Sequence, residues 1–203
     1  ARGLGRSYGD ASLNTGGEVI LMERLNRLLS FDPRSGILKA EAGSTIGDVV
    51  TTFAERGFFV PVTPGTKEAT LGGCLAADAH GKNHHADGSF SDHILEFELL
   101  IPDGSKKRVQ RKDEELFFAT AGGMGLTGII SEITMKLLPV ESPFMKVVHA
   151  LEVRLLQSTA QPFHREWQSG SCSVHDAVPI PVQTAMQRAT FKPQPEARCS
   201  WMK

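Results

Sequence analysis

Ile46, Val49, Val50 and Phe53 recur at the three- and four-residue spacing of one helix face. Ser44 stands where an N-cap belongs and Gly57 where a left-handed residue closes a helix, so the pattern predicts a helix between them. Short apolar runs at residues 18–22, 37–41 and 58–62 predict strands around it. Strand, helix and strand with short joints read as a βαβ-like, partly parallel front. Further on, residues 94–101 are largely apolar, Pro102-Asp103-Gly104-Ser105 has turn composition, and residues 106–110 return as a second strand. This predicts an antiparallel hairpin. Residues 114–120 suit a short helix. Ile133, Met135 and Leu137 alternate with Thr134 and Lys136, the period of a half-buried strand. The class is therefore α+β, with an antiparallel second lobe and no internal repeat.

After residue 153 the periodicity fades. Residues 154–203 are rich in Gln, Ser, Pro and His, and Pro162, Pro179, Pro181, Pro193 and Pro195 interrupt any long element. This segment reads as a poorly ordered or non-native tail. The 203 residues allow one domain or one and a half, and a net charge of −1 argues against a general nucleic-acid binder. No apolar run approaches the length of a bilayer span, and no N-terminal signal is visible. Cys74, Cys172 and Cys199 form no CxxC pair, which suggests neither a disulfide framework nor a zinc site and leaves a reducing compartment as the default.

Candidate chemistry lies in three glycine-rich segments. In Arg2-Gly3-Leu4-Gly5-Arg6-Ser7-Tyr8-Gly9-Asp10, closely spaced glycines expose successive backbone N–H groups, which can form a nest for phosphate oxygens. The segment is neither a Walker motif nor a Rossmann fingerprint, and a plain glycine-rich turn is the other reading. In residues 64–85, Gly65 and Thr66 offer backbone and hydroxyl donors. Thr70, Gly72, Gly73 and Ala76 then open a small-residue helix whose free N–H groups would attract phosphate. Close packing on a sheet explains the same small residues equally well, but not His80, Lys82, Asn83, His84 and His85 behind them. In residues 122–130 a glycine loop runs straight into a strand, where its backbone can meet the edge of a heterocycle or serve only as a turn. His80, His84, His85 and His93 share one stretch, yet no Cys or carboxylate completes a ligand spacing, so the reading is metal-free. A single histidine acting as general base or anion stabiliser fits better, because imidazole titrates near neutral pH.

Together, the spellings GLGRSYGD, PGTKEATLGG, HGKNHH, GSFSDH and GGMGLTGII resemble the FAD-binding domain of the PCMH-type, or vanillyl-alcohol-oxidase-type, flavoproteins. They are most similar to the branch of the decaprenylphosphoryl-β-D-ribose 2′-epimerase oxidase subunit. The resemblance covers roughly residues 1–150. It implies two α/β subdomains with FAD between them, here without their first strands and without the substrate domain, so that residues 1–153 form a partial FAD-binding domain. Residues 2–10, with Gly3, Leu4, Gly5, Arg6, Ser7, Tyr8 and Gly9 among them, would cradle the pyrophosphate. Gly65, Thr66, Thr70, Gly72, Gly73 and Ala76 would line the cofactor. His80, Gly81, Asn83 and His84 would lie near the flavin or its phosphates, and Thr127, Gly128 and Ile129 would make backbone contacts. Tyr8 stands where some members of the superfamily attach flavin to histidine, which implies non-covalent FAD.

The resemblance also implies a reaction: hydride transfer to flavin from a secondary sugar hydroxyl, here the 2′-hydroxyl of a polyprenylphosphoryl ribose, with His80 as the catalytic residue. A short-chain reductase would be the partner that consumes the ketone. Oxidation of alditols, lactones or hydroxy acids, or a non-catalytic FAD-binding remnant, are the alternatives. With a lipid-linked substrate, the compartment stays open between cytoplasm, membrane surface and periplasm.

Overall fold

The computed structural model describes residues 1–152, 172–173 and 186–193. The chain divides into two compact units, Ala1–Glu141 and Ser142–Lys203. The first unit is built on a five-stranded sheet. Its strands are β1 (Leu28–Asp32), β2 (Ile37–Glu41), β4 (Ile94–Leu100), β5 (Lys106–Gln110) and β6 (Ile129–Lys136). Their order is β1-β2-β6-β4-β5, and every neighbouring pair is antiparallel. The expected βαβ front is therefore corrected. The strand after the first helix, β3 (Phe58–Phe59), leaves this sheet and pairs antiparallel with β7 (Leu138–Pro139). It stops where Pro61, which has no N–H for a ladder, enters the chain.

One sheet face carries Leu38, Ala40, Phe97, Leu99, Val109, Ile133 and Met135 into the core. The other is ionic, with Lys39 Nζ 2.6 Å from Glu132 and Lys106 Nζ 2.8 Å from Glu98. Strict alternation breaks once in β1, where Leu29 is an extra residue against β2, and twice between β4 and β6. Leu95 and Ser131 are extra residues at register shifts, so Ile94 with Phe97, and Ile130 with Ile133, face inward although three positions apart. The sequence pattern located the β4–β5 hairpin, whose turn is closed by Ser105 N–H donating to Asp103 Oδ1 (2.7 Å), with Gly104 at φ +84°.

Three helices cover the apolar face: α1 (Ile46–Phe53), α2 (Leu71–Ala76) and α4 (Glu114–Thr120). A four-residue turn of helix, α3 (His84–Asp87), follows α2. The first cap falls one residue later than expected. Thr45 Oγ1 accepts from Asp48 N–H (3.0 Å) and Asp48 Oδ2 accepts from Thr45 N–H (2.8 Å), a reciprocal capping box. Ser44 is instead fully buried, its carbonyl accepting from Leu71 N–H at 2.8 Å. Gly57 takes the left-handed conformation (φ +81°) anticipated for it, after a 3₁₀ turn over Ala54–Arg56.

Residues 18–22 are not a strand. Leu21 makes one parallel bridge to Arg2, and a 3₁₀ turn then covers Met22–Arg24. The chain here lies against Gly43, where an added Cβ would sit 2.0 Å from the Met22 carbonyl oxygen. The strand at this edge is β1, joined to β2 by a turn in which Asp32 accepts from Arg34 N–H (3.0 Å) and Ser35 Oγ (2.6 Å). Just before β1, Arg27 grips Glu41 through its amide (2.8 Å), Nε (3.0 Å) and Nη2 (2.6 Å). Glu41 is only 4% exposed, and these donors hold its carboxyl below the ordinary glutamate range despite burial.

A backbone seam places α2. Ile46 and Gly47 N–H donate to Ala69 and Lys67 O (3.0 and 2.8 Å), while Leu71 and Gly72 N–H donate back to Ser44 and Ala42 O (both 2.8 Å). Gly72 makes this approach possible, since a Cβ there would lie 2.9 Å from Ala42 Cβ. In the second unit, β8 (Met145–Glu152) pairs antiparallel with β10 (Met186–Pro193), which also pairs with β9 (Cys172–Ser173). The rest of the segment read as a tail lies outside the described residues.

Two outcomes follow from this packing. Gly72→Ala gains roughly 1 kcal/mol of helix propensity but overpacks a rigid backbone contact at a cost of about 1–3 kcal/mol. Urea denaturation will show a net loss of stability. For Glu41, the folded-state value is depressed below 4.5, so its contribution is complete above that pH and is lost as pH falls through the folded value. Glu41→Gln will be less stable at pH 7, and its acid unfolding curve will be flatter below pH 4.5 than that of the parent.

Candidate functional site

The three glycine segments converge on α2, which at 1.5 Å per residue is about 9 Å long. Residue Gly3 meets its N-terminal end, where an added Cβ would stand 2.3 Å from Thr70 Oγ1. The third segment meets its C-terminal end, where Gly122 and Met124 N–H donate to Leu75 and Ala76 O (3.1 and 2.8 Å).

The expectation of free amides at the start of α2 is corrected. Leu71 and Gly72 N–H are used by the seam, Gly73 N–H donates to Thr70 Oγ1 (3.2 Å), and Cys74 N–H donates to Thr70 O (2.8 Å). No donor of this turn is left for a phosphate. The small residues serve close approach: Gly72 to Ala42, and Gly73 to the Thr70 side chain. Cys74 is buried among them, and burial pushes its thiol up to about 12, so it stays an unreactive thiol.

The first segment behaves differently. Arg2 is pinned by Arg2 N–H to Ile20 O and Met22 N–H to Arg2 O, both 2.9 Å. Beyond it, no amide from residue 3 to residue 9 donates to an acceptor among the described residues. Gly5 and Gly9 are at φ +63° and +60°, so the handedness of the backbone changes twice along the loop, as in an anion-binding nest. Arg6 pairs with Glu68 and so clasps this loop to the segment before α2. Both side chains are about half exposed, so the clasp contributes at most about 1 kcal/mol. The Arg2 guanidinium lies beside Gly5, with Nε 3.1 Å from where a Gly5 Cβ would be. That Nε is buried without a hydrogen-bond partner among the described residues, which ordinarily costs about 1–3 kcal/mol or more. Tyr8 is 99% exposed and turns away from the protein.

In the middle segment, Gly65 has neither a left-handed φ nor a neighbour within 4 Å of an added Cβ. The protein's own packing therefore does not require glycine there. Thr66 Oγ1 accepts from Glu68 N–H at 3.2 Å. Past α2, Asp78 adopts φ +42° and accepts from Ser91 N–H (3.0 Å) through Oδ1. Gly81 is buried under Thr63, whose carbonyl oxygen would be 2.9 Å from a Cβ at 81. Asn83 Nδ2 donates to Pro61 O (2.9 Å) and to Asp87 Oδ2 (2.7 Å). His84 Nδ1 is 3.1 Å from Gly81 O, and a carbonyl only accepts, so that nitrogen carries the proton. His80 bridges Ser89 through its backbone, while its ring is exposed, 5.5 Å from the His84 ring. The His80 nitrogens meet no hydrogen-bond partner among the described residues.

In the third segment, Thr127 Oγ1 shares a 2.9 Å hydrogen bond with the buried Thr120 hydroxyl of α4. Gly128 passes 2.5 Å from Leu100 O, measured from an added Cβ, and Ile129 opens β6. Leu126 is 90% exposed beside them. Thr127 and Gly128 thus have structural work in the chain itself. The sequence reading counted Arg2 only within the cradle of residues 2–10 and singled out no role for Glu68 or Asp78. Arg2 had a signal, as a cation leading straight into the glycine run. The partnership of Glu68 and the strained turn of Asp78 had none.

A family model described as an FAD binding domain matches residues 1–110. The chain is 44% identical over 146 residues to decaprenylphosphoryl-beta-D-ribose oxidase of Mycolicibacterium smegmatis, covering 71% of this chain and 32% of that protein. It is 31% identical over 134 residues to probable L-gulonolactone oxidase 6 of Arabidopsis thaliana, covering 62% and 22%. It is 25% identical over 139 residues to D-lactate dehydrogenase of Anaerostipes hadrus, covering 66% and 29%. The chain thus spans at most 32% of the length of these relatives. An open run of amides beside a buried, unpartnered guanidinium Nε suits the phosphates of a dinucleotide, and with these matches it follows that the chain belongs to the FAD-binding domain family of PCMH-type flavoproteins.

Proposed function

We propose that this chain is the FAD-binding part of an oxidoreductase that oxidises a secondary hydroxyl of a sugar, the 2′-hydroxyl of a polyprenylphosphoryl ribose. The observation that carries the substrate is the 44% identity over 71% of the chain to an oxidase named for decaprenylphosphoryl ribose. Residues 3–9 hold the pyrophosphate with their unspent amides. Gly65 is a glycine because a ligand, rather than the protein, occupies the space beside it. Tyr8 is exposed and offers no imidazole for attachment, so the cofactor is held non-covalently. When bound, FAD supplies the acceptor for the hydride that leaves the carbinol carbon. The His80 ring takes the hydroxyl proton, since its nitrogens are free of internal partners and it is held by its backbone bridge to Ser89. The product ketone suits a short-chain reductase as the partner that consumes it. A second reading, oxidation of a lactone or hydroxy acid, draws on the similarity to L-gulonolactone oxidase and D-lactate dehydrogenase.

The purified chain is expected to take up FAD and to melt higher with it, by the equivalent of about 2.7 kcal/mol at a hundredfold excess over Kd. Acid precipitation should release all of the flavin into solution. Under anaerobic conditions polyprenylphosphoryl ribose should bleach the bound flavin, while alditols, lactones and hydroxy acids leave it coloured. Bleaching by a lactone or hydroxy acid alone moves the assignment to the second reading. No bleaching by any of them leaves a non-catalytic binding domain. His80→Ala should keep FAD and bleach at least about a hundredfold more slowly; an undiminished rate removes His80 from the proton transfer.

A further inference from the structure

The His80 main chain is held by a second strip of chain. His80 and Ser89 form an antiparallel bridge, Phe90 N–H donates to Ala79 O (2.8 Å), and Ser91 N–H donates to Asp78 Oδ1 (3.0 Å). Residues 78–80 therefore follow residues 89–91. Asp92, in the 3₁₀ turn Phe90–His93, shapes that strip. Its Oδ2 accepts from Ser89 N–H (3.0 Å), and Gly88 makes room for it, since a Cβ there would lie 2.2 Å from that oxygen.

Arg111, just past β5, closes the arrangement from the sheet side. Its Nη2 donates to Asp92 Oδ1 (2.8 Å) and its Nη1 to Ser91 O (3.2 Å), so one guanidinium meets a carboxylate and a carbonyl of the same strip. The guanidinium also lies over the rings of Phe117 and Phe118 in α4, 5.8 and 5.5 Å from their centroids, and Phe117 is fully buried. Both members of the Arg111–Asp92 pair are nearly half exposed, and such a pair adds little stability by itself. The two Arg111 hydrogen bonds fall instead on the strip that carries His80. We infer that Arg111 and Asp92 are positioning residues for the His80 ring: they lock residues 89–92 onto the end of β5 and onto α4, and the bridge from Ser89 passes that placement to His80. The inference rests on the reading of His80 as proton acceptor and adds what holds it. A planar fork meets two acceptors at once in a way that a lysine ammonium does not. A base held only through its main chain keeps its ring nitrogens open, and a misplacement of about 1 Å is enough to slow its reaction.

The test compares the whole chain with Arg111→Met, which keeps the stem but not the fork, by amide hydrogen exchange. Exchange of the Phe90 and Ser91 amides should speed up at least about tenfold, while the amides of α1, the melting temperature and the FAD affinity stay at parent values. Asp92→Asn, which turns an N–H toward one of the two donors, should repeat the pattern and decides the outcome if Arg111→Met does not fold. Unchanged exchange at Phe90 and Ser91, or faster exchange throughout with a lower melting temperature, overturns the inference and leaves an ordinary surface pair. In anaerobic bleaching by polyprenylphosphoryl ribose, Arg111→Met should slow the parent at least about tenfold and should slow His80→Ala no further. Undiminished bleaching by Arg111→Met, or a comparable further loss on the His80→Ala background, overturns action through His80. A parent that does not bleach, or that bleaches no faster than His80→Ala, overturns the His80 reading itself, and the exchange comparison then still decides the brace.

Discussion

Everything at the candidate site depends on the seam between residues 42–47 and 67–72. Four backbone hydrogen bonds cross it, running in both directions, and Gly72 lets the two strips come close enough to make them. The seam fixes the start of α2 against the loop that leaves β2. From there the rest is positioned in turn: Gly3 rests on the Thr70 side chain at one end, and Gly122 and Met124 hang from the last carbonyls at the other. Three glycine segments far apart in the sequence are thereby brought to one short helix. An antiparallel sheet with a charged outer face leaves its apolar face to hold that helix in place.

The seam also decides which donors remain for a ligand. Helix starts ordinarily carry unsatisfied amides, and anions collect there. In α2 those amides are consumed by protein carbonyls and by the Thr70 hydroxyl, so the helix is a strut. The unspent donors are displaced to residues 3–9, where the backbone is pinned at Arg2, reverses hand at Gly5 and Gly9, and makes no internal bonds among the described residues. A fold that assigns packing to the helix and leaves the open donors to the loop tolerates small residues in α2 for reasons unrelated to phosphate. This is why composition alone could not separate the two roles of the glycines.

Much of the frame was legible. Helical spacing located α1, residues 114–120 suited the short helix α4, the Asp-Gly turn located the β4–β5 hairpin, and Gly57 marked its own left-handed turn. What escaped depended on tertiary contacts. Strand β1 has only two half-buried positions, Leu28 and Phe31, so its sequence shows no clean alternation. The bulges at Leu95 and Ser131 break the two-residue period in strands whose registers only the sheet reveals. The apolar run at 18–22 looked like a strand, but its backbone is taken up by Arg2 and by the close pass over Gly43. Within the site, the glycine loops could be read as ligand-facing, whereas the commitments of Thr127 to Thr120 and of Asn83 to Pro61 follow from contacts across the fold.

The histidines behind α2 show how one composition is divided among roles. His84 gives its Nδ1 proton to Gly81 O, and His93 Nε2 lies 2.8 Å from Asp87 O, so each ring braces a carbonyl of the same loop. His85 packs on His84 with ring centroids 3.7 Å apart. These contacts stiffen residues 81–93 around a buried Gly81 that has no room for a side chain. His80 sits at the junction between this braced loop and the end of α2, fixed through its main chain and with ring nitrogens unspent. A base must be positioned by groups that do not consume its lone pair. Among the described residues, the His80 ring keeps both nitrogens open, whereas His84 keeps only Nε2 and His93 only Nδ1; with its backbone bridge to Ser89, this geometry, rather than the number of histidines, supports assigning it the proton.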